Sequence, residues 1–185
     1  MVSMQQLEAH EMPLWKVFSV EYHFKIPHYQ RPYAWETTQA ADLLNDLSDA
    51  LDRDSAEPYF LGSLVLIKQR EAAASQVIDG QQRLTTLTIL FAVLAELARD
   101  ADVGDLFRKL ISEPGDILLG SEAKPRLEVR PRDRDFFRKY IQTAGQLADL
   151  LALPDPAGDN RISATAAPGR GCHGAISPCP KPQSR

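Results

Sequence analysis

The stretch from Gln76 to Leu87 constrains the fold more than any other part of this sequence. A short apolar run, Gln76 to Ile78, predicts a β-strand, and from Leu84 to about Ala98 the apolar residues follow helical spacing. Asp79 and Gly80 lie between the strand and the helix. A strand that enters a long helix through a tight turn predicts an α+β fold, with a small mixed sheet and the helix packed on it.

The predicted helix is too apolar to lie at the surface. One stripe carries Leu84, Leu87 and Phe91, and further apolar residues widen it. We therefore expect a central core helix whose start is held rigidly. Thr85 and Thr86 lie in its first turn, where their hydroxyls can bond free N–H groups, a phosphate or a metal.

The turn before the helix has the residue types of a phosphate site. N–H groups at a helix start are unpaired and carry partial positive charge. Gly80 allows close backbone approach, and Arg83 can fork onto phosphate oxygens. Asp79 is a candidate cation ligand, and Gln81 and Gln82 are candidates to orient a water or read a base. The structural alternative is a capped helix with a surface arginine.

Other segments predict further elements around this centre. Strands are expected at 14–20, 22–26, 59–67 and 127–129, and helices at 4–10, 36–52, 103–111 and 132–141. The strand at 59–67 reads as buried, and Gly62 inside it indicates either a bulge or the close passage of another backbone or a ligand.

Two charged segments each allow two interpretations. Asp42, Asp46 and Asp49 share one helix face, which is either solvated or a metal site. Lys124 to Lys139 is rich in basic residues and is either a solvated helix face or a contact for nucleic acid or triphosphate.

Length and composition indicate one globular domain. The 185 residues are 44% hydrophobic and 25% charged, and the net charge of -4 argues against a strongly basic nucleic-acid wrapper. No membrane-spanning run and no apolar signal core occur, so a cytoplasmic location is expected. Residues 1–153 are expected to form the domain, which is either complete or truncated at its C-terminal side. A Pro- and Gly-rich tail at 154–185, which holds both cysteines, has few large apolar residues and is expected to be a disordered end or a non-native truncation scar.

Three blocks of this sequence resemble one known family. The segment Asp79 to Leu87, with its Asp-Gly-Gln-Gln-Arg motif, is similar to the signature of the N-terminal domain of GmrSD-type restriction endonucleases. Ile26 to Trp35 resembles the family's first motif, and Tyr59 to Leu66 resembles its central strand. The resemblance covers about residues 14 to 141.

The resemblance implies a ParB/sulfiredoxin-like fold that binds and hydrolyses a nucleoside triphosphate in anti-phage defence. A loop around Tyr29 is then expected to share a pocket with the motif turn. The implied catalytic residues are Asp79, Gln81, Gln82 and Arg83. The implied nucleotide-binding residues are Tyr29, Gln30, Arg31, Gly80, Arg83, Thr85 and Thr86. Asp79 would bind Mg²⁺ or another divalent cation.

The same resemblance raises the question of partners. Related systems pair this domain with a His-Asn-His nuclease domain, and His10, His23, His28 and His173 form no such cluster here. A nuclease is therefore expected on another chain, with DNA as a further partner and an oligomer as an open possibility. No P-loop motif is present. The alternatives to a hydrolase are a non-catalytic ParB-like nucleotide switch and a DNA-binding adaptor.

Overall fold

The computed structural model describes residues 8–53, 58–69, 72–115 and 120–153. The predicted helical arm at 4–10 falls mostly outside this part, and residues 8–10 carry no helix. The predicted tail at 154–185 lies outside the described residues.

The elements alternate irregularly between strands and helices along the chain. The strands are β1 (His23–Lys25), β2 (Val65–Lys68), β3 (Ala74–Asp79), β4 (Ser112–Glu113), β5 (Lys124–Pro125) and β6 (Leu127–Glu128). The helices are α1 (Leu14–Val17), α2 (Thr37–Asp52), α3 (Gln81–Leu97), α4 (Ala101–Ile111), α5 (Pro131–Phe137) and α6 (Leu147–Ala152), with a π-helical turn at Arg138–Gln142.

The main sheet is small and mixed. Its strand order is β2-β3-β1-β6, in which β3 and β6 both run parallel to β1, and β2 runs antiparallel to β3. A separate antiparallel pair joins β4 and β5. This sheet with its packed helices confirms the predicted α+β class.

Helix α3 lies at the centre of the hydrophobic core, as its composition predicted. Leu84 and Ile89 are almost fully buried, and the Phe91 ring meets the edge of Phe18 with centroids 5.0 Å apart. Phe24 on β1 is also fully buried. The helix begins at Gln81, three residues before the predicted start, so its first turn contains the polar residues of the motif.

Two predicted strands are wrong in part. Leu14 to Val17 is a helical turn, which places Phe18 in the core. In the run from Tyr59 to Ile67 only Val65 onward pairs with a strand, because Gly62 adopts a positive φ of 108° that interrupts extended backbone. Strand β2 is therefore a half-exposed edge strand rather than a buried one.

Helix α2 forms where it was predicted but packs less deeply. Glu36 and Gln39 make a capping box at its start. Leu43 is the buried residue of its apolar stripe, whereas Leu44 and Leu51 are exposed. Asp46 accepts a hydrogen bond of 3.0 Å from the Tyr59 hydroxyl, so this aspartate tethers the chain beyond the helix.

The basic-rich segment 124–139 is not wholly a solvated face. Arg126 is 7% exposed, its Nε donates to the Lys109 carbonyl at 2.7 Å, and burial lowers the pKa of its guanidinium. Arg130 is largely buried as well, whereas Arg132 and Arg134 are exposed. Among the described residues, none of the helices has both the length and the hydropathy needed to cross a bilayer.

Candidate functional site

Three connections meet at one edge of the main sheet. Strands β3, β1 and β6 are parallel, so their carboxyl ends lie at the same edge. The Gly80 turn follows β3, the loop from Pro27 to Trp35 follows β1, and the segment from Val129 to Asp133 follows β6. Ligands commonly bind at the carboxyl ends of parallel strands. This edge is therefore the candidate site.

Gly80 makes the turn from β3 into α3. Its φ of 88° and ψ of 6° are left-handed, which favours glycine. A Cβ at this position would lie 2.4 Å from Leu64 Cδ2 and 3.0 Å from the Ser63 carbonyl oxygen. Packing against the segment at Ser63 and Leu64 therefore requires glycine here, whatever ligand binds. No side chain caps the start of α3, so its first N–H groups have no side-chain acceptor.

Gln82 fastens the loop after β1 to the start of α3. Its Nε2 donates to the Pro32 carbonyl at 3.0 Å, and its Oε1 accepts from the N–H groups of Ala34 at 2.8 Å and Trp35 at 3.4 Å. The side chain is only 6% exposed. Both ends of the amide are thus engaged by protein, which makes Gln82 a structural clamp.

Gln81 has the opposite character. Its Nε2 donates to the Arg31 carbonyl at 3.4 Å, but its Oε1 is buried without a hydrogen-bond partner. The residue is 7% exposed. Buried polar atoms are nearly always paired, so an orphaned acceptor at this place indicates a missing donor. Sequence alone treated the two glutamines alike, and the structure separates them.

Gln30 also supports the loop. Its Nε2 donates to the Ile78 carbonyl at 2.9 Å, and its own carbonyl accepts from Arg130 Nη1 at 3.4 Å. The Tyr29 to Arg31 loop thus approaches the motif turn, as expected, through hydrogen bonds from glutamine side chains to backbone carbonyls. Tyr29 itself is 62% exposed, with its ring edge-on to His28.

Thr85 and Thr86 bond backward along their own helix. The hydroxyl of Thr85 donates to the Gln81 carbonyl at 2.8 Å, and that of Thr86 donates to the Gln82 carbonyl at 2.9 Å. The Thr86 oxygen then accepts from the Tyr33 hydroxyl at 2.9 Å. Both hydroxyls thus donate to carbonyls of the first turn of α3, and neither caps its free N–H groups.

Arg83 lies on the other side of the first turn from Gln81. Its guanidinium lies so close to Gly62 that a Cβ there would be 2.5 Å from Nη1. The close neighbour expected at Gly62 is thus the Arg83 side chain. The hydrogen bond to Asp46 raises the pKa of Tyr59 and the Arg83 charge opposes that rise, so Arg83 lies within electrostatic reach of Tyr59. Arg83 Nε is buried and unpaired.

Arg31 lines a narrow cleft with Gln81, Thr85, Arg130 and Asp133. Arg83 is not among the lining residues of this cleft, so the cleft joins the loop after β1 to Gln81 but not to Arg83. Arg130 and Asp133 were not identified individually from the sequence. The available signal was the predicted strand at 127–129, because a third parallel strand would bring its following residues to the same edge.

Asp79 ends β3 and is exposed beside the open helix start. Within the described ranges, no three His, Cys, Asp or Glu side chains are grouped as a metal site. Mg²⁺ usually keeps several waters and binds through one or two carboxylates together with substrate phosphates. A single accessible carboxylate next to an uncapped helix start is compatible with that mode of binding.

Comparison with known proteins gives one family. A family model described as "GmrSD restriction endonuclease, N-terminal domain" matches residues 14–161, which is well over half of the chain. The match includes the motif turn, the loop after β1 and the segment after β6. A search of curated proteins found no match.

Proposed function

The chain belongs to the family of GmrSD restriction endonuclease N-terminal domains, and from this premise we propose that it is the nucleotide-binding domain of a restriction system. The proposed ligand is a nucleoside triphosphate, which the domain hydrolyses. The proposed role is to couple the nucleotide state to a modification-dependent, anti-phage nuclease. The ParB-like character of the domain is part of the same proposal.

One observation supports this proposal: the start of α3 has no side-chain cap, and an arginine from the preceding loop, Arg31, lies near it together with Arg83 of the helix itself. The helix has 17 residues and its first turn is buried. A buried helix cannot shift to follow a ligand, so its N–H groups are preorganised for an anion. Arg31 and Arg83 supply charge-assisted, forked donors at this position.

The site residues divide into those that hold the turn and those that remain available to a ligand. The side chains that hold the turn already donate hydrogen bonds to protein carbonyls; they are Gln30, Gln82 and Thr86. The Arg31 and Arg83 guanidinium groups and the backbone N–H groups of the Gly80 to Arg83 turn remain available for the phosphates. The exposed ring of Tyr29 is available to stack on a base.

Asp79 would hold a divalent cation together with the phosphates. A cation there supplies neutralisation of charge on the transferred phosphoryl group. The chain's own contribution is an exposed carboxylate at the end of β3, on the same turn as the N–H groups. Asp79 therefore serves turnover more than ligand affinity.

A partner nuclease is part of the proposal. The resemblance of the motif blocks implies a His-Asn-His domain, and in this structure His23 faces Glu128 at 3.4 Å rather than another histidine. We propose that DNA cleavage is carried by a partner chain or domain, and that nucleotide binding here regulates it.

A nucleotide panel with Mg²⁺ tests the proposal. The full chain is expected to bind at least one nucleoside triphosphate and to release phosphate from it. Asp79→Ala is expected to abolish phosphate release while its nucleotide affinity falls less. Calorimetric titration and a phosphate-release assay measure the two quantities.

Three other outcomes of the panel have distinct meanings. Binding without phosphate release would favour the non-catalytic switch. Salt-dependent DNA binding with no nucleotide affinity would favour the adaptor. Unchanged phosphate release by Asp79→Ala would show that Asp79 does not bind the catalytic cation.

A further inference from the structure

The cleft beside the start of α3 has room for about one water molecule. It is built from all three connections at the sheet edge. Arg31 comes from the loop after β1, Gln81 from the turn after β3, and Arg130 and Asp133 from the segment after β6. The cleft thus adjoins the proposed phosphate site without including Arg83.

Gln81 lines this cleft, and its amide oxygen lacks a hydrogen-bond donor. Its Nε2 is fixed by the Arg31 carbonyl, so its Oε1 cannot be exchanged with the nitrogen without placing two acceptors together. Oε1 is buried and unpaired, and the whole residue is only 7% exposed. A water that donates one O–H to this oxygen would satisfy it.

Asp133 has one engaged and one available carboxylate oxygen. Its Oδ2 accepts a hydrogen bond from Arg130 Nε at 2.8 Å, and Arg130 Nη2 lies 2.8 Å from the same oxygen as an ion pair. Its Oδ1 makes no hydrogen bond to any residue in the described ranges. The side chain is 27% exposed. Arg130 also donates to the Gln30 carbonyl at 3.4 Å, so the carboxylate is held in a fixed place relative to the loop.

We propose that Asp133 is the general base for the hydrolytic water and that Gln81 orients that water. This inference rests on the proposed nucleotide function. The water donates one O–H to Gln81 Oε1 and the other to Asp133 Oδ1. Its oxygen then forms a bond to the terminal phosphorus of a triphosphate at the start of α3.

The step balances as a hydrolysis. The bond from the terminal phosphorus to the bridging oxygen breaks, and its electron pair leaves with the nucleoside diphosphate. The water proton that pointed at Asp133 passes to that carboxylate, which returns it to solvent. Arg130 holds the Asp133 carboxylate in place between cycles by its ion pair.

Asp133→Asn tests the base directly, because asparagine keeps an acceptor for Arg130 but cannot take a proton. We expect kcat for phosphate release by the full chain to fall by about 10²–10⁴-fold, the usual contribution of a general base. KM, nucleotide affinity and melting temperature should stay near the wild-type values. Asp135→Asn, an exposed carboxylate on the same helix, is the matched control and should leave kcat unchanged.

The outcomes separate this inference from the function on which it rests. A wild-type chain that hydrolyses nucleotide, with an equally active Asp133→Asn variant, overturns the base and leaves the function intact. A variant that loses melting temperature and gains KM shows a structural ion pair instead and overturns the base. Wild-type binding without phosphate release also overturns it, and absence of any nucleotide binding overturns both.

A second variant decides the matter if Asp133→Asn does not fold. Gln81→Ala leaves the Arg130–Asp133 pair intact and removes the acceptor for the water. A loss of kcat of at least about tenfold with little change in KM supports an oriented water, since each tenfold corresponds to about 1.4 kcal/mol of barrier. An unchanged kcat overturns it.

Discussion

Replacing Arg83 with alanine is expected to weaken nucleotide binding by at least about tenfold. A charge-assisted hydrogen bond contributes roughly 1.5–3 kcal/mol, and 1.4 kcal/mol is a factor of ten in affinity. Arg83 lies at the entry of a buried helix, with its Nε unpaired and its guanidinium against Gly62. Calorimetric titration of wild type and variant with the same nucleotide measures the difference.

Arg83→Lys is the informative control for this prediction. An ammonium cannot fork onto phosphate oxygens or lie flat against the Gly62 backbone, so we expect little rescue. The melting temperature should fall little in either variant if the side chain serves a ligand. A clearly destabilised Arg83→Ala protein with unchanged nucleotide affinity would show that Arg83 is a structural partner of Gly62.

Replacing Gln82 with alanine is expected to lower the free energy of unfolding by about 2–3 kcal/mol. The change removes three hydrogen bonds to the loop after β1, each worth about 1 kcal/mol net, and leaves the Ala34 N–H without its acceptor. Urea denaturation measures the loss. Gln76→Ala, at an exposed glutamine on β3, is the matched control and should change stability little.

The Gln82 variant also distinguishes a clamp from a catalytic group. If the amide only positions the loop, nucleotide affinity should recover at low temperature, where the variant is folded. An intact melting temperature with lost turnover would instead assign Gln82 a direct part in the reaction.

The sequence predicted the centre of the fold well because the physical signal was local. The strand at Gln76–Ile78 and the helix after it are encoded by apolar spacing within one continuous stretch. Helix α2 was predicted for the same reason, but the sequence could not show that Leu44 and Leu51 lie exposed. The exposure of these two leucines depends on how closely α2 packs against the rest of the core, which is a property of the tertiary structure.

The roles of individual site residues could not be predicted from local sequence patterns. Gln81 and Gln82 are neighbours of identical chemistry, and their difference depends on carbonyls about fifty residues earlier in the chain. The run at Tyr59 to Ile67 looked like one strand because composition does not reveal that Gly62 turns left-handed against Arg83. Arg130 and Asp133 enter the site only because β6 pairs in parallel with β1.

The central claim is that nucleotide phosphates bind the open start of α3. The most direct test is the ¹⁵N–¹H spectrum of the full chain during titration with a nucleoside triphosphate and Mg²⁺. We predict that the largest amide shift changes occur at Gly80, Gln81, Gln82 and Arg83. Saturable nucleotide binding with those four amides unmoved, and with the largest changes elsewhere in the domain, would contradict the claim.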